Sequence, residues 1–225
     1  MFARVENFLN QDQLTRLEQI IAANKFVDGS ATTGAPTKRY KHNLQLEFGS
    51  QGQRDELVAM VMQILNTNPL ARIITLPKRI TQPMINKYGP GMSYGWHIDN
   101  PLMGGVGGPV RSDMACTVFL SNPADYEGGE LVARSSAGDV KIKMARGDAF
   151  IYPATTRHQV LDVTKGERLA LIFWIQSMVA DADKRNLLYQ LDAAYAQILK
   201  DSPESEALQM IQQVQTNLMR SWVEV

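Results

Sequence analysis

The sequence predicts a mainly β core, built as an antiparallel barrel or sandwich, with helices on either side of it along the chain. Between about residues 72 and 178, short runs rich in Val, Ile, Phe and Tyr are separated by Gly, Pro, Asn and Asp, as expected for many short antiparallel strands. Before and after this region, apolar residues recur at helical spacing. A chain of 225 residues is long enough for one well-packed core with an appendage.

The N-terminal part is predicted to contain two helices and a strand. Apolar residues at helical spacing follow Asn10, a good N-cap, and predict an amphipathic helix over about residues 11–24. A second helix is predicted over about residues 52–66. The alternating stretch "HNLQLEF" predicts one strand. We assign residues 1–77 to a segment of helices and strands that packs on the core.

The core, assigned to residues 78–178, is predicted from a series of apolar runs that begins slightly earlier. In the run "DVKIKM", Val140, Ile142 and Met144 alternate with lysines, so this strand is expected to have one solvated face. Cys116 lies within another run and is expected to pack there. The predicted strands are "RIITL", "ACTVFLSNP", "GGELVARSS", "DVKIKM", "GDAFIYPA", "HQVLDVT" and "RLALIFWIQS".

Residues 179–225 are predicted to form a helical hairpin that packs on the barrel, because helical periodicity returns after Met178 and "DSPES" marks a turn. The sequence is also compatible with a homo-oligomer formed through this hairpin. Two apolar stripes define the predicted helices: Leu187, Leu191, Ala194, Tyr195 and Ile198 in the first, and Leu208, Ile211, Leu218 and Trp222 in the second.

Composition argues against several classes of partner. Lys plus Arg and Asp plus Glu both total 23, so the charge balance favours neither nucleic acid nor an anionic membrane as a partner. The single cysteine rules out an internal disulfide and is typical of a reducing compartment. The N-terminus lacks the apolar stretch of a signal peptide, and the apolar run at residues 169–180 is too short to span a bilayer. We therefore expect a cytoplasmic protein.

The stretch "YGWHIDN" contains a candidate pair of metal ligands. Alternate residues of a strand point to the same face, so His97 and Asp99 would project together if this stretch is extended. Taken alone, the pair is compatible with a metal site and with a coincidence of polar residues. Of the two other histidines, we assign His42 to structure, and His158 opens a predicted strand about 60 residues downstream.

Two downstream residues extend the pair into a chemical constellation. If the barrel brings His158 beside His97 and Asp99, the three would form the facial triad of non-haem Fe(II) oxygenases, although a lone histidine there also fits a simple strand end. Arg168 begins an otherwise apolar strand, where a guanidinium would need an anionic partner and could grip a carboxylate with two hydrogen bonds. The alternative is an arginine in solvent at a strand end.

Three segments, taken in this order, resemble the Fe(II)/2-oxoglutarate dioxygenases of the prolyl-hydroxylase type: "YGPGMSYGWHIDN", "YEGGEL" and "GDAFIYPATTRHQVLDVTKGER". Within that group, "NLQL", "RSDMACTVFLSNPADYEGGEL" and the helical tail resemble the bacterial PKHD-type hydroxylases. The match to the catalytic domain covers about residues 78–178, and no element of the pattern is missing.

The resemblance implies a double-stranded β-helix, or jelly roll, and a complete active site. It implies that His97, Asp99 and His158 bind Fe(II) and that Arg168 binds the distal carboxylate of 2-oxoglutarate. Tyr88 matches a tyrosine near the cosubstrate, although a role in the aromatic core fits equally well. The implied reaction is hydroxylation of a substrate C–H bond with O2, coupled to decarboxylation of 2-oxoglutarate to succinate and CO2, with L-ascorbate as a reductant of the iron.

The sequence leaves the substrate and two rival functions open. The substrate is expected to be a small molecule or a peptide, and the glycine-rich stretch at about residues 100–112 is either a lid over it or a plain hairpin loop. One rival is a non-catalytic sensor of iron or 2-oxoglutarate. The other is a zinc-dependent hydrolase, since three protein ligands and a water also describe catalytic zinc. The hydrolase leaves Arg168 unexplained.

Overall fold

The computed structural model describes residues 1–32, 39–105 and 108–224. A single turn of 3-10 helix covers Gly29–Thr32. Five α-helices occur in the described part of the chain: α1 (Gln11–Ala22), α2 (Gln51–Thr67), α3 (Pro69–Thr75), α4 (Ala182–Asp201) and α5 (Glu206–Trp222). The strands of the same residues are β1 (Ala3–Val5), β2 (Lys25–Asp28), β3 (Lys41–His42), β4 (Leu44–Glu47), β5 (Pro77–Ile80), β6 (Met84–Tyr88), β7 (Ser93–His97), β8 (Leu102–Met103), β9 (Val110–Arg111), β10 (Met114–Phe119), β11 (Tyr126–Gly128), β12 (Leu131–Ser135), β13 (Gly138–Ile142), β14 (Ala149–Pro153), β15 (His158–Val160), β16 (Val163–Gly166) and β17 (Arg168–Ser177).

Two antiparallel sheets form the centre of the fold. The larger one has eight strands, in the order β1-β14-β10-β17-β6-β4-β2 with β5 also paired to β17, and the smaller one has five, in the order β13-β12-β15-β7-β3. Strands β11 and β16, and β8 and β9, form two further pairs. The predicted mainly β core with flanking helices is confirmed, and three strands of the N-terminal segment extend the larger sheet.

The larger sheet is buried on both faces. One face packs on helices α1 to α3 through a cluster that includes Leu17, Leu57 and Phe173, and the other packs on the smaller sheet through a cluster that includes Phe119 and Leu131. Cys116 lies in the first cluster and is fully buried, as expected. Burial raises the pKa of its thiol well above the usual value.

The stretch "RIITL" was predicted as a strand, and this is wrong. Its first four residues lie in α3 and Leu76 is the C-cap, because Asn68 caps the start of the helix by accepting a hydrogen bond from the backbone N–H of Ala71 at 2.9 Å, and Pro69 occupies the first helical turn. A proline there has no helical hydrogen bond to lose and a backbone angle already suited to a helix. The β-branched residues that suggested a strand place Ile74 in the core instead.

The stretch "HNLQLEF" was predicted as one strand and is divided between the two sheets. Residues Lys41 and His42 pair with β7 in the smaller sheet, while Leu44–Glu47 pairs with β2 and β6 in the larger one. Asn43, between them, is buried at the crossover. This crossover brings β3 beside the strand that carries His97.

The C-terminal hairpin of α4 and α5 is present as predicted, but its buried stripe differs. Leu188 is fully buried, whereas Leu187, which the predicted stripe contained, is 49% exposed. Leu188 packs with Leu76 and Val179, so the hairpin packs on α3 and the end of β17. Among the described residues, no single helix is long and apolar enough to cross a membrane; α2 and α3 together pass the same test of length and composition, but are bent by 95° at their junction.

Candidate active site

A cavity of about 260 Å³ lies between the two sheets and is lined by residues from both of them. The alternation of β17 explains one wall: Arg168, Ile172 and Trp174 line the cavity, while Leu171 and Phe173, on the opposite face, join the core under the helices. A turn at Gly91, with φ of +79°, connects β6 to β7, and His97, the last residue of β7, lies on the opposite wall.

The three predicted metal ligands meet in this cavity. His97 and His158 face each other in the register of β7 and β15, with ring centroids 4.1 Å apart. Asp99 follows directly after β7, and its Oδ1 lies 3.8 Å from Nε2 of His158. One ligand atom from each of the three residues lies within 4.8 Å of the other two. This spacing is compatible with a single metal ion, and imidazole and carboxylate ligands suit Fe(II).

Hydrogen bonds orient both imidazoles for metal binding. Nδ1 of His97 donates to the carbonyl oxygen of Gly95 at 2.8 Å, and Nδ1 of His158 donates to that of Thr156 at 2.9 Å. With the proton on Nδ1, each Nε2 keeps its lone pair for a metal. The ring of Tyr94 stacks on that of His97 at 3.6 Å between centroids, which further restricts the ring.

Burial sets the charge states around the triad. It lowers the pKa of His97 to about 3, with a further contribution from His158, so His97 is neutral and able to act as a ligand at neutral pH. Burial also raises the pKa of Asp99, although His158 and Trp174 oppose this effect. Oδ2 of Asp99 is buried without a hydrogen-bond partner among the described residues. Such a carboxylate is costly unless a cation compensates it.

Arg168 lies in the same cavity with its guanidinium group buried. The residue is only 1% exposed, and none of its three guanidinium nitrogens has a hydrogen-bond partner in the part of the chain that the structure describes. The predicted alternative of a solvent-exposed arginine is therefore wrong. The nearby hydroxyl of Tyr126 interacts with Arg168 but carries no charge, so the buried cation is strongly unfavourable unless a ligand anion completes the site.

Tyr88 lies in the aromatic core and also borders the cavity, so its role beside the cosubstrate remains a prediction. It is fully buried and belongs to the core between the sheets, yet it also lines the cavity. Tyr88 pairs with Arg168 in the register of β6 and β17, and its ring centroid is 5.3 Å from Cζ of that arginine. Burial raises the pKa of Tyr88 to about 12, with Arg168 opposing the rise, so its hydroxyl stays protonated.

The Gly-Gly pair of "YEGGEL" makes room for Arg168. Gly128 and Gly129 both have positive φ, of +72° and +66°, a conformation that other residues adopt at a cost. A Cβ atom on Gly129 would lie 2.8 Å from Cγ2 of Val163 and 3.1 Å from Cδ of Arg168. Glycine at position 129 is thus needed both for the backbone and for the position of the arginine.

Sequence reasoning missed several cavity residues because their local sequence carries no chemical signal. Lys41 and Asn86 are buried polar residues of the wall, and Trp174 places its indole near Asp99. The alternation of β6 could have indicated Asn86, since Tyr88 lies two residues away on the same face. Lys41 could not be found in this way, because its position depends on the crossover between sheets.

The remaining predictions fall outside the constellation or are only partly described. His42 is exposed and its Nε2 contacts the carbonyl oxygen of Arg39 at 3.3 Å, in agreement with a structural role. The candidate lid contains the strand pair β8 and β9, and Met103 and Gly104 line the cavity. Residues 106–107 lie outside the described residues, and the lid remains a prediction.

Comparison with known proteins agrees with this geometry. The family model of the 2OG-Fe(II) oxygenase superfamily matches residues 83–176, and that of the PKHD-type hydroxylase C-terminal domain matches residues 182–224. A PKHD-type hydroxylase of Caulobacter vibrioides is 39% identical over 228 residues, and one of Nitrosomonas eutropha is 40% identical over 228 residues; each match covers 100% of both chains. The chain belongs to the PKHD-type hydroxylase family. It is an Fe(II)/2-oxoglutarate-dependent dioxygenase.

Solved structures support the fold of this hydroxylase. A prolyl-4-hydroxylase of Pseudomonas putida superimposes with a TM-score of 0.52 at 18% sequence identity, covering 78% of this chain and 92% of the other. The predicted jelly-roll core is confirmed. The family also requires Fe(II), 2-oxoglutarate and O2, and the two imidazoles, the buried carboxylate and the buried guanidinium of the cavity fit the first two.

Proposed function

We propose that this hydroxylase couples the oxidative decarboxylation of 2-oxoglutarate to the hydroxylation of a C–H bond in a small molecule or a peptide, with succinate and CO2 as the other products. One observation carries the proposal: a group of three side chains able to bind a metal and the buried guanidinium of Arg168 share one cavity. A cavity with these two ends suits a dicarboxylate that reaches from a metal to an arginine.

At the metal end, His97, Asp99 and His158 would hold Fe(II). The bound iron supplies the oxidising chemistry, and the protein supplies geometry and electrostatics. Both histidines are already in the tautomer that a metal requires, so little reorganisation accompanies binding. The negative charge of Asp99 offsets part of the cation's charge inside a buried site. Three protein ligands leave positions for the cosubstrate and O2.

At the other end, Arg168 would bind the distal carboxylate of 2-oxoglutarate. The planar guanidinium can donate two parallel hydrogen bonds to a carboxylate, which fixes the orientation as well as the position of the cosubstrate. Apolar wall residues, among them Leu131 and Val160, exclude water from this part of the cavity and thereby strengthen the charge pair. The protonated Tyr88 adds a hydroxyl group near the same end.

The proposal is tested by adding Fe(II) and 2-oxoglutarate to the protein without oxygen. A weak visible charge-transfer band is expected, followed by formation of succinate and CO2 when oxygen is admitted. A folded, iron-loaded protein without the band would contradict the proposal. L-Ascorbate is expected to prolong turnover by reducing oxidised iron, and equal turnover without it would remove ascorbate from the mechanism.

The same experiment separates this function from the two rivals. A sensor would bind Fe(II) and 2-oxoglutarate but form no succinate with any cell extract. A zinc-dependent hydrolase would retain zinc as its active metal and consume no oxygen. Metal analysis together with an oxygen electrode therefore distinguishes all three functions.

Replacing Gly129 with alanine is expected to weaken the binding of 2-oxoglutarate by roughly 5- to 30-fold, because displacement of Arg168 from its ligand would cost about 1–2 kcal/mol. The added Cβ atom would push against Val163 and Arg168. The dissociation constant of 2-oxoglutarate with Mn(II) in place of iron, measured by calorimetry, checks this result.

The matched control is Gly138→Ala. Gly138 also has a positive φ, of +119°, but a Cβ atom there meets nothing within 4 Å. This variant is expected to lose some thermal stability and to bind 2-oxoglutarate like the unmodified protein. Equal affinities for both variants would show that Gly129 has no influence on Arg168.

A further inference from the structure

A second cation, Lys41, lines the active-site cavity on a wall different from that of Arg168. Lys41 belongs to β3, the edge strand of the smaller sheet, and pairs with Tyr94 of β7. Its Nζ lies 5.7 Å from the centroid of the Tyr94 ring, and that ring stacks on His97. Arg168 comes from the larger sheet. The candidate metal site therefore has a cation on each of the two sheets that enclose it.

Lys41 is held in place before any ligand binds. It is only 4% exposed, and burial lowers its pKa to about 8, with Asp28 opposing the shift. Asp28 is exposed and does not line this cavity, so it acts on Lys41 from the protein surface. A ligand anion in the cavity would add to the contacts that Lys41 already makes. A lysine with a restricted side chain loses little entropy when it binds such a ligand.

The charges of the cavity favour an anionic substrate. Among the described residues that line it, Lys41 and Arg168 are the cationic side chains apart from the histidines, and Asp99 is the acidic one. In the proposed complex, the metal and Asp99 together balance the proximal carboxylate of 2-oxoglutarate, and Arg168 balances the distal one. The cosubstrate offers no third carboxylate for Lys41, whose charge Asp28 moderates from outside this cavity.

The charge of Lys41 and the room beside it limit the type of anion. A single ammonium is a compact point charge that balances one negative charge. A cavity of about 260 Å³, which must also hold 2-oxoglutarate, leaves room for a small group only. Asn86, whose buried Oδ1 has no hydrogen-bond partner among the described residues, offers an acceptor for an N–H donor in the same cavity.

We infer that the substrate presents a carboxylate to Lys41, as a free amino acid or the C-terminus of a short peptide would. This inference rests on the proposed function, since it concerns the second ligand of the same cavity. Lys41 acts here as a specificity-determining residue for the substrate and has no part in binding 2-oxoglutarate.

The experiment uses the folded protein loaded with Mn(II) and 2-oxoglutarate, so that ligands bind without turnover. The probes are the proteinogenic amino acids and a set of N-acetyl dipeptides, each compared with its C-terminal amide by ligand-observed NMR. At least one acid is expected to bind roughly 10-fold or more tightly than its amide, because hydrogen bonds to charged groups are the stronger ones. The two sets of probes distinguish a free amino acid from a peptide C-terminus.

Variants assign the preference to Lys41. Lys41→Met is expected to bind acids and amides equally, Lys41→Arg to retain the preference for acids, and both to bind 2-oxoglutarate with unchanged affinity. Lys87→Met is the matched control, because Lys87 lies on β6 with an ion pair to Glu167 at 3.1 Å and does not line the cavity. This control is expected to behave like the unmodified protein.

Three results would overturn the inference: equal binding of acids and amides to the unmodified protein, no binding of any acid, or loss of 2-oxoglutarate affinity in Lys41→Met. The comparison on the unmodified protein decides the question even if a variant does not fold. The charge-transfer band with Fe(II) is recorded on the same preparation. A protein that forms the band but has no preference for acids refutes this inference alone, whereas absence of the band refutes the proposed function.

Discussion

Replacing His158 with alanine is expected to abolish tight binding of Fe(II) and, with it, the formation of succinate. The loss of metal affinity should exceed the roughly 10- to 100-fold that follows when only a group behind a metal ligand is removed. Two of the three ligands, His97 and Asp99, would remain. The buried carboxylate of Asp99 would then lack a tightly bound cation to compensate its charge. Iron content after dialysis and the dissociation constant of Mn(II) measure this effect.

The third histidine of the chain, His42, supplies the control. His42→Ala removes an exposed imidazole whose Nε2 contacts the carbonyl oxygen of Arg39. It lies on β3, near the site but outside the group of ligands. Iron content and turnover are expected to be unchanged. Full iron occupancy in a folded His158→Ala protein would contradict the assignment of the triad.

Replacing Arg168 with methionine is expected to weaken 2-oxoglutarate binding by roughly 10- to 150-fold, because hydrogen bonds to charged groups contribute ~1.5–3 kcal/mol. Binding of the metal should be retained, since Arg168 is not among the candidate ligands. Calorimetry on the Mn(II)-loaded protein measures both affinities. Arg168→Lys should recover only part of the loss, because an ammonium keeps the charge but lacks the planar fork.

The stability of the same variant gives a second, independent readout. In the ligand-free protein, Arg168 is a buried cation whose guanidinium lacks hydrogen-bond partners among the described residues, so Arg168→Met should leave the melting temperature unchanged or raise it. In the unmodified protein, 2-oxoglutarate should raise the melting temperature by mass action, and at the same concentration of 2-oxoglutarate this increase should be smaller in the variant.

Arg146→Met is the control for these measurements. Arg146 is partly buried, unlike the fully buried Arg168, and forms an ion pair with Glu18 beneath α1, away from the cavity. Its loss is expected to affect stability modestly and 2-oxoglutarate affinity not at all. Unchanged affinity in Arg168→Met would move the anchor of the cosubstrate to another residue.

Local patterns were sufficient for much of the fold and for the main chemical residues. The alternation of β17 and its neighbours predicted strands, and the order of His97, Asp99, His158 and Arg168 carried the resemblance to the family. The errors arose where local signals compete. In "RIITL", β-branched residues favoured a strand, but the cap at Asn68 and the proline after it favoured a helix. Ile74 can be buried in either structure, so its apolar character did not distinguish them.

The amino-acid sequence by itself determined the type of chemistry, because residue identity and order along the chain carry the metal ligands and the arginine. Only the tertiary structure decided that Arg168 is buried in the cavity, that Gly129 leaves space for it, and that Lys41 lines the same cavity. These features depend on pairing between strands that are far apart in sequence, such as β3 with β7 and β6 with β17. Periodicity within one strand reports which face is apolar, but it holds no information about which distant strand will lie opposite that face.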